Sequence, residues 1–312
     1  MNTAPLQNFL PAKQNTKEKS IFDYLADPQA TATLPSMRSV LSELESLTQN
    51  GNIRLDEVAQ LVQMDQAMAM RVLRMANSVY YAPLKPIMDV QDAILYIGLS
   101  GFRAMVLSTR CIETTCHIKQ SALDWKEFWV HAAGVGHLNR ELASHLKTLE
   151  LVPESFYLMG LLHDIGKVVL AQLMPEVFDR IYLQASLEKK SPSPLELEFL
   201  RIDHGHLGAW YLEKQGIPFV LCEPVRFHHG QTVENKPHLK HAILVRLADL
   251  LALYFQLGQS GNHIETSDPF LSQEWKWYLE NSRHSDTDGN ELKEILIEQV
   301  SRISDLVRTI IV

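Results

Sequence analysis

The chain has 312 residues, of which 46% are hydrophobic and 21% charged, enough apolar content for a sizeable core and for more than one domain. Its 29 Lys and Arg against 37 Asp and Glu leave a formal charge of -8, which excludes broad, sequence-independent nucleic-acid binding. Three cysteines, Cys111, Cys116 and Cys222, make no disulfide framework and point to a reducing compartment.

Taken from the start, the first twenty residues contain no long apolar run of the signal-peptide kind. The apolar runs elsewhere fall short of the roughly 20 residues that a bilayer requires, so no membrane span and a cytoplasmic location are expected. Residues 1–30 read as a flexible arm with a short helix near "IFDYLAD". Thr33 and Pro35 look like a helix start, and Met37, Val40, Leu41, Leu44 and Leu47 recur at helical spacing. "QNGN" is a turn. "IRLDEVAQLVQMD" and "QAMAMRVLRMANSVYY" give two more helices, the second with Met68, Val72, Met75 and Ala76 on one side. "DVQDAILYIG" and "LSGFRAMVLSTRCIETTC" add another two. Arg71, Arg74 and Arg103 read as a solvated face, with an anion-binding patch as the alternative.

A longer helix follows Ser121 and Asp124, both candidate caps. His131 lies within its apolar line of Phe128, Val135, Leu138 and Leu142. His137, Glu141 and His145 fall on a more polar line and are expected at the surface. "VPESFYLMGLLHDIGKVVLAQL" is the next helical stretch, with a kink expected at Gly166. "MPEVFDRIYLQASLEKK" continues, and "SPSP" links or caps. "LELEFLRIDHGHLGAWYLEKQG" reads as one helix, bent at Gly205. "IPFVLCEPVRFHHG" is short and ends in paired histidines. "HLKHAILVRLADLLALYFQ" is expected to be strongly amphipathic. The Trp275–Trp277 helix and the last helix, "NELKEILIEQVSRISDLVRTIIV", close the chain. Between them, "RHSDTDGNELKE" fails as a calcium loop because its twelfth residue is Ile295, and it is expected to cap the final helix. Trp125, Trp129, Trp210, Trp275 and Trp277 read as core residues or as an interface. The pattern as a whole is all-α.

Several polar residues do not suit that pattern: His131, His163, Asp164, His204, His228, His229 and Asp249. They come from five separated segments, which a helical bundle can bring to one point. Imidazole nitrogens and carboxylate oxygens are ligands for divalent ions, and a carboxylate such as Asp164 can reach two of them. Two ions about 3.5–4 Å apart can clamp the attacking and leaving oxygens of a phosphoester. Lys167, one turn from His163, could set a positive charge against a phosphate oxygen. The plainer readings are helix C-capping for His228 and His229 and pairing with Arg246 for Asp249. Asp164 resists a plain reading, since a carboxylate among Leu161, Leu162, Ile165 and Val168 is costly unless it is paired.

"LLHDIGK", with His131 before it and Asp249 after it, resembles the HD superfamily of metal-dependent phosphohydrolases. The chain more closely resembles the HDOD family, the HD-related output domain of bacterial signalling. The likeness runs from Leu34 to Tyr254. It is carried by "LPSMRSVLSELESL", by "MDQAMAMRVLRMANSVYY" with Asp65, Leu73, Ala76, Asn77 and Ser78, and by Ala93, Ile94 and Gly98. His204, Gly208, Trp210, Leu212 and Pro218 add to it.

The resemblance implies an HD-like helical bundle with an N-terminal helical lobe: an arm at 1–30, the lobe at 31–118, an HD-like core at 119–256 and a helical extension at 257–312. It implies metal ligation by His131, His163, Asp164, His204, His228, His229 and Asp249, with Asp164 and Lys167 as the catalytic candidates. His131, His163, Asp164 and Asp249 would hold one ion, and His204, His228 and His229 a second that shares Asp164. Manganese, iron, nickel or magnesium would serve, the nitrogen-rich set arguing against magnesium. The set resembles that of the HD-GYP phosphodiesterases, but "HHGQTVENKPHLKHA" lacks the glutamate and the glycine-tyrosine-proline signature that follow the pair in those enzymes. Two functions remain open. One is a bacterial signal-transduction output protein acting mainly by binding a signalling protein or a small phosphorylated ligand. The other is a metal-dependent phosphohydrolase or phosphodiesterase acting on a phosphoester or nucleotide.

Overall fold

Caps and apolar spacing set the helices one by one. In this computed structural model, residues 19–34, 55–115, 121–147, 151–230, 239–262, 268–283 and 289–311 are described, and every regular element among them is helical. The expected helix over 37–47, the "QNGN" turn, Cys116 and the acidic loop at 284–288 lie outside the described residues. The elements are α1 (Ile21–Ala26), α2 (Pro28–Thr31), α3 (Leu55–Met64), α4 (Gln66–Ala76) and α5 (Val90–Thr115). Then come α6 (Trp125–Ser144), α7 (Pro153–Leu162), α8 (Ile165–Leu173), α9 (Pro175–Glu188) and α10 (Pro192–Leu200). The remainder are α11 (His204–Lys214), α12 (Phe219–Phe227), α13 (Leu239–Tyr254), α14 (Gln273–Asn281) and α15 (Gly289–Ile311).

Helices α3 to α5 share a core of Val72, Met75, Ala76, Ala93, Ile94 and Met105, which Leu306 of α15 completes. Asp65 caps α4 by accepting from Met68 N at 3.1 Å. Asn77 ties down the following loop: its Oδ1 accepts from Ile87 N, and its Nδ2 donates to the carbonyls of Leu73 and Ile87, each at 2.8 Å. Gly98, at φ 75°, interrupts α5 and leaves the two helical halves expected from the sequence. Arg71 pairs with Glu113 at 3.7 Å and Arg103 with Glu154 at 3.4 Å, so these two arginines are neutralised within the chain.

The larger core is built on α6, which packs against α7, α13 and α15. Trp129 and Trp275 are buried, and Trp125, Trp210 and Trp277 are partly buried against the same core. Four expectations are corrected here. The break in the 153–173 stretch falls at His163–Asp164, not at Gly166, because the chain leaves helical geometry at Asp164 (φ -99°, ψ 9°). Gly166 is small for another reason: α11 passes so close that a Cβ there would collide with the carbonyl oxygen of His204 and stand 2.7 Å from the amide nitrogen of Gly208. The 195–216 stretch is two helices, separated by the left-handed Arg201 (φ 63°) and by the α11 cap Asp203, with Gly205 inside the first turn of α11. His137 is buried instead of solvated, since Tyr157 of α7 and Tyr80 cover its face of α6, whereas Glu141 is part-exposed. Finally, α13 is enclosed by α6, α12 and α14, and only Ile243, Arg246, Leu250 and Leu253 reach partial exposure along its described middle turns.

Two stretches, Val90–Glu113 and Pro153–Leu173, are long and apolar enough to cross a bilayer by composition. The second is packed inside the protein and split at His163–Asp164, as a core helix pair is. Cys111 and Cys222 are both buried.

Candidate metal centre

Five helix segments converge on one polar centre. His131 comes from the second turn of α6. His163 and Asp164 form the hinge between α7 and α8, so the break in the helix turns both side chains inward. His204 opens α11, His228 and His229 follow α12, and Asp249 lies in the middle of α13. All are buried except His229, which is partly exposed.

Asp164 is the hub. Its Oδ1 lies 3.0 Å from His204 Nε2 and 3.7 Å from His228 Nε2, and its Oδ2 lies 3.2 Å from His163 Nε2. Asp249 Oδ1 stands 3.0 Å from His131 Nε2 and 3.9 Å from His163 Nε2. His229 Nε2 is 2.6 Å from His204 Nε2, a separation that requires one proton or one cation between them. Two groups of side chains are compact enough to hold an ion: Asp164 with His204, His228 and His229, and His131 with His163 and Asp164. Arg246 is engaged with Glu274 at 2.8 Å, so it is no ion-pair partner for Asp249.

The outer contacts decide how the rings are used. His131 Nδ1 faces the carbonyl of Leu257 at 3.2 Å, His163 Nδ1 that of Gly160 at 2.7 Å, and His228 Nδ1 that of Val225 at 2.6 Å. His204 Nδ1 meets Glu196 Oε2 at 2.6 Å. A carbonyl can only accept, so Nδ1 carries the proton and Nε2 faces the centre. Glu196 is itself fixed by Tyr182 Oη at 2.8 Å and by the backbone N–H of His204 at 2.8 Å.

Burial pushes the Asp164 carboxyl up, but His163 and Lys167 outweigh it and hold the group well below the usual carboxylate range. Burial also keeps His228 below, and His229 well below, the ordinary imidazole value, so both are neutral ligands. The result is a buried site with a surplus of acceptors. His131 Nε2, His163 Nε2, His228 Nε2, Asp164 Oδ1 and Asp249 Oδ1 are buried without a hydrogen-bond partner. Each such group costs about 1–3 kcal/mol unless something satisfies it. One divalent cation in each of the two groups would satisfy all but Asp249 Oδ1, which belongs to neither group, and nitrogen with carboxylate oxygen is the donor set that such ions take.

Lys167 is fully buried. Its Nζ donates to Asp164 Oδ2 at 2.7 Å, to the carbonyl of Ser260 at 2.9 Å and to Asn262 Oδ1 at 3.1 Å. An ammonium has three protons, and all three are used.

The HDOD domain family matches residues 34–231. The chain belongs to the HDOD family. One relative of this HDOD protein, an uncharacterised protein of Treponema pallidum (strain Nichols), is 25% identical over 208 residues. That match takes in 66% of this chain but only 38% of the relative's own length. Among solved structures, an HDOD domain protein of unknown function from Geobacter sulfurreducens superposes with a TM-score of 0.71 at 23% identity, covering 88% of this chain and 93% of that one. A protein of Marinobacter aquaeolei VT8, provisionally assigned to signal transduction, gives 0.68 at 19% identity over 94% and 62% of the two chains. At these identities the likeness establishes the fold.

Sequence reasoning passed over Glu196, Tyr182, Leu257, Ser260 and Asn262. Only Glu196 left a signal, as an acid inside the apolar "LELEFL" eight residues before His204. The others act through backbone carbonyls or uncharged side chains that no spacing marks.

Proposed function

We propose that this HDOD protein is a signal-output protein that works by binding, with its HD-type centre serving as an internal divalent-metal clamp. His131, His163, Asp164 and Asp249 would hold one ion, and His204, His228 and His229 a second that shares Asp164. The nitrogen-rich set favours manganese, iron or nickel over magnesium. The single observation that carries the reading is closure. All the ligands but the partly exposed His229 are buried, and Lys167 is saturated by Asp164 and by Ser260 and Asn262, so no ammonium proton is left for a phosphate. The clamp joins five segments, and any affinity for the ion adds to the folding free energy. The likeness to the Marinobacter protein assigned to signal transduction supports the signalling half of the proposal.

The second reading is a metal-dependent phosphohydrolase acting on a phosphoester or nucleotide, with Asp164 and Lys167 as the catalytic candidates. The observation that favours it is the complete ligand set converging on Asp164. A bound divalent ion supplies Lewis-acid charge at a phosphoester oxygen. In that reading Lys167 would exchange Ser260 and Asn262 for the phosphate.

The two are separated by purifying the protein without chelator, measuring bound metal, and assaying generic and cyclic phosphoesters. The binding reading expects one or two equivalents of metal, a fall in Tm of roughly 5–10 °C on chelation, and no turnover. Turnover that disappears in Asp164→Ala would establish the enzyme instead. Protein without metal whose Tm is insensitive to chelator and to added manganese would sink both.

A further inference from the structure

A second concave site lies away from the metal centre, where the loop after α4 and the first half of α5 face the C-terminal turns of α6. It is a cleft of about 430 Å³, within the size range of small-molecule sites. Tyr80 and Tyr81 come from the loop, Ser100 from α5, Arg140 and Ser144 from α6, and Arg283 from the segment after α14.

Two guanidinium groups line this cleft in a chain with a formal charge of -8. Arg71, Arg103, Arg226, Arg246, Arg302 and Arg308 each pair with a carboxylate. Arg140 and Arg283, like Arg74, Arg180 and Arg201, have no such partner among the described residues, and these two share the wall of one cleft, where their contacts hold them without neutralising them. Arg140 Nη2 donates to His137 Nδ1 at 3.1 Å, and the guanidinium stands 5.9 Å from the centre of the Tyr157 ring. Burial, with Arg140 adding to it, holds His137 well below its ordinary value, so this imidazole is neutral and accepts. Arg283 Nε donates to the carbonyl of Leu146 at 3.0 Å, and its two Nη groups have no hydrogen-bond partner among the described residues. One carboxylate, Glu141, also reaches the wall, and it lies 3.4 Å from His145 Nε2.

Two restrained guanidinium forks form an anion site of the kind that recognises phosphate. The aromatic pair adds a second preference. The Tyr80 and Tyr81 rings meet edge-to-face with centroids 4.9 Å apart, and burial raises the Tyr81 hydroxyl to about 12, so it stays neutral and adds no repulsion. Such rings suit a flat, partly apolar group.

We propose that this cleft binds a mononucleotide, with its phosphate on Arg140 and Arg283 and its base against Tyr80 and Tyr81. Ser100, Ser144 and Glu141 then supply partners for sugar hydroxyls and base N–H groups. The ligand joins three parts of the chain at once: the loop and helix of the N-terminal lobe, α6, and the segment that carries Arg283. This gives a binding protein a means of coupling ligand to the relative hold of these parts. The proposal is independent of the metal reading, since none of these side chains touches the metal centre.

The test is isothermal titration of the full chain with AMP and GMP, using adenosine and inorganic phosphate as controls. The expected result is one equivalent of nucleotide bound, at least roughly tenfold more tightly than either control, and a loss of about tenfold or more in Arg283→Gln. Arg283 is exposed and far from the metal ligands in sequence, so this variant keeps the fold and separates the cleft from any nucleotide held at the metal. Tyr80→Ala tests the aromatic half and is expected to reduce the nucleotide's advantage over phosphate. Failure of either nucleotide to saturate at millimolar concentration, or equal affinity in wild type and Arg283→Gln, overturns the assignment. So does phosphate binding as tightly as the nucleotide.

Discussion

The N-terminal lobe and the core around α6 are built from the same kind of helix, but they bury different things. Among the described side chains of residues 55–115, the buried polar groups are the uncharged Ser78, Ser108 and Thr109, and the hydroxyls of Ser78 and Ser108 donate to the carbonyls of Met75 at 2.7 Å and Ala104 at 2.9 Å. The larger core buries His131, His163, Asp164, Lys167, Glu196, His204, His228 and Asp249. Helix packing alone does not call for such groups, as the lobe demonstrates. Buried charges are costly, and they persist where they hold one another or an ion. The lobe instead keeps large apolar side chains on its outside, among them Met64, Leu84 and Met88.

The strongest way to break this contrast is Asp164→Ala. It strands the buried Lys167 ammonium and is expected to cost about 3–5 kcal/mol, read by urea denaturation, and, where the centre holds an ion as proposed, to release it. The apolar counterpart is Met75→Ala in the lobe, expected to cost about 2–5 kcal/mol but to leave metal content unchanged. If Met75→Ala also stripped the metal, the two regions would not be the separate energetic units drawn here. Glu196→Gln sharpens the picture within the core. It removes the carboxylate that orients His204, and a fall in metal affinity of about 10–100-fold is expected with the fold retained; equilibrium dialysis measures it.

A smaller effect concerns pH. His137 is neutral in the fold, with its pKa held well below 6.5 by burial and by Arg140, whereas the unfolded chain takes up a proton there. Its contribution to stability is therefore full above pH 6.5 and is lost as pH falls towards the folded value, at up to about 1.4 kcal/mol per pH unit. His137→Gln should flatten the stability profile between pH 6.5 and 5; an unchanged slope would assign the acid sensitivity to other groups. Least of all, Arg71→Gln breaks the partly exposed pair with Glu113 and should change stability by no more than about 0.5 kcal/mol in the same denaturation experiment.

Local chemistry was legible in the sequence. Helical spacing, the Asp124 cap and the division of the 90–115 stretch into two helices after Gly98 all depend on neighbours a few residues away, and the all-α class follows from them. The odd polar residues in apolar surroundings, Asp164 above all, mark a candidate site in the sequence itself. What the sequence could not decide was which faces become covered. His137 lies on a polar line of its own helix, yet Tyr157 and Tyr80 bury it; α13 loses its expected solvent face because three helices surround it. Gly166 is a glycine because α11 crosses it, not because its own helix bends. The outer partners of the centre are carbonyls and neutral groups delivered from as far as Leu257 and Ser260, and only the tertiary structure could supply them. Periodicity is written along one element, whereas burial and hydrogen-bond partnership are set by elements distant in the chain.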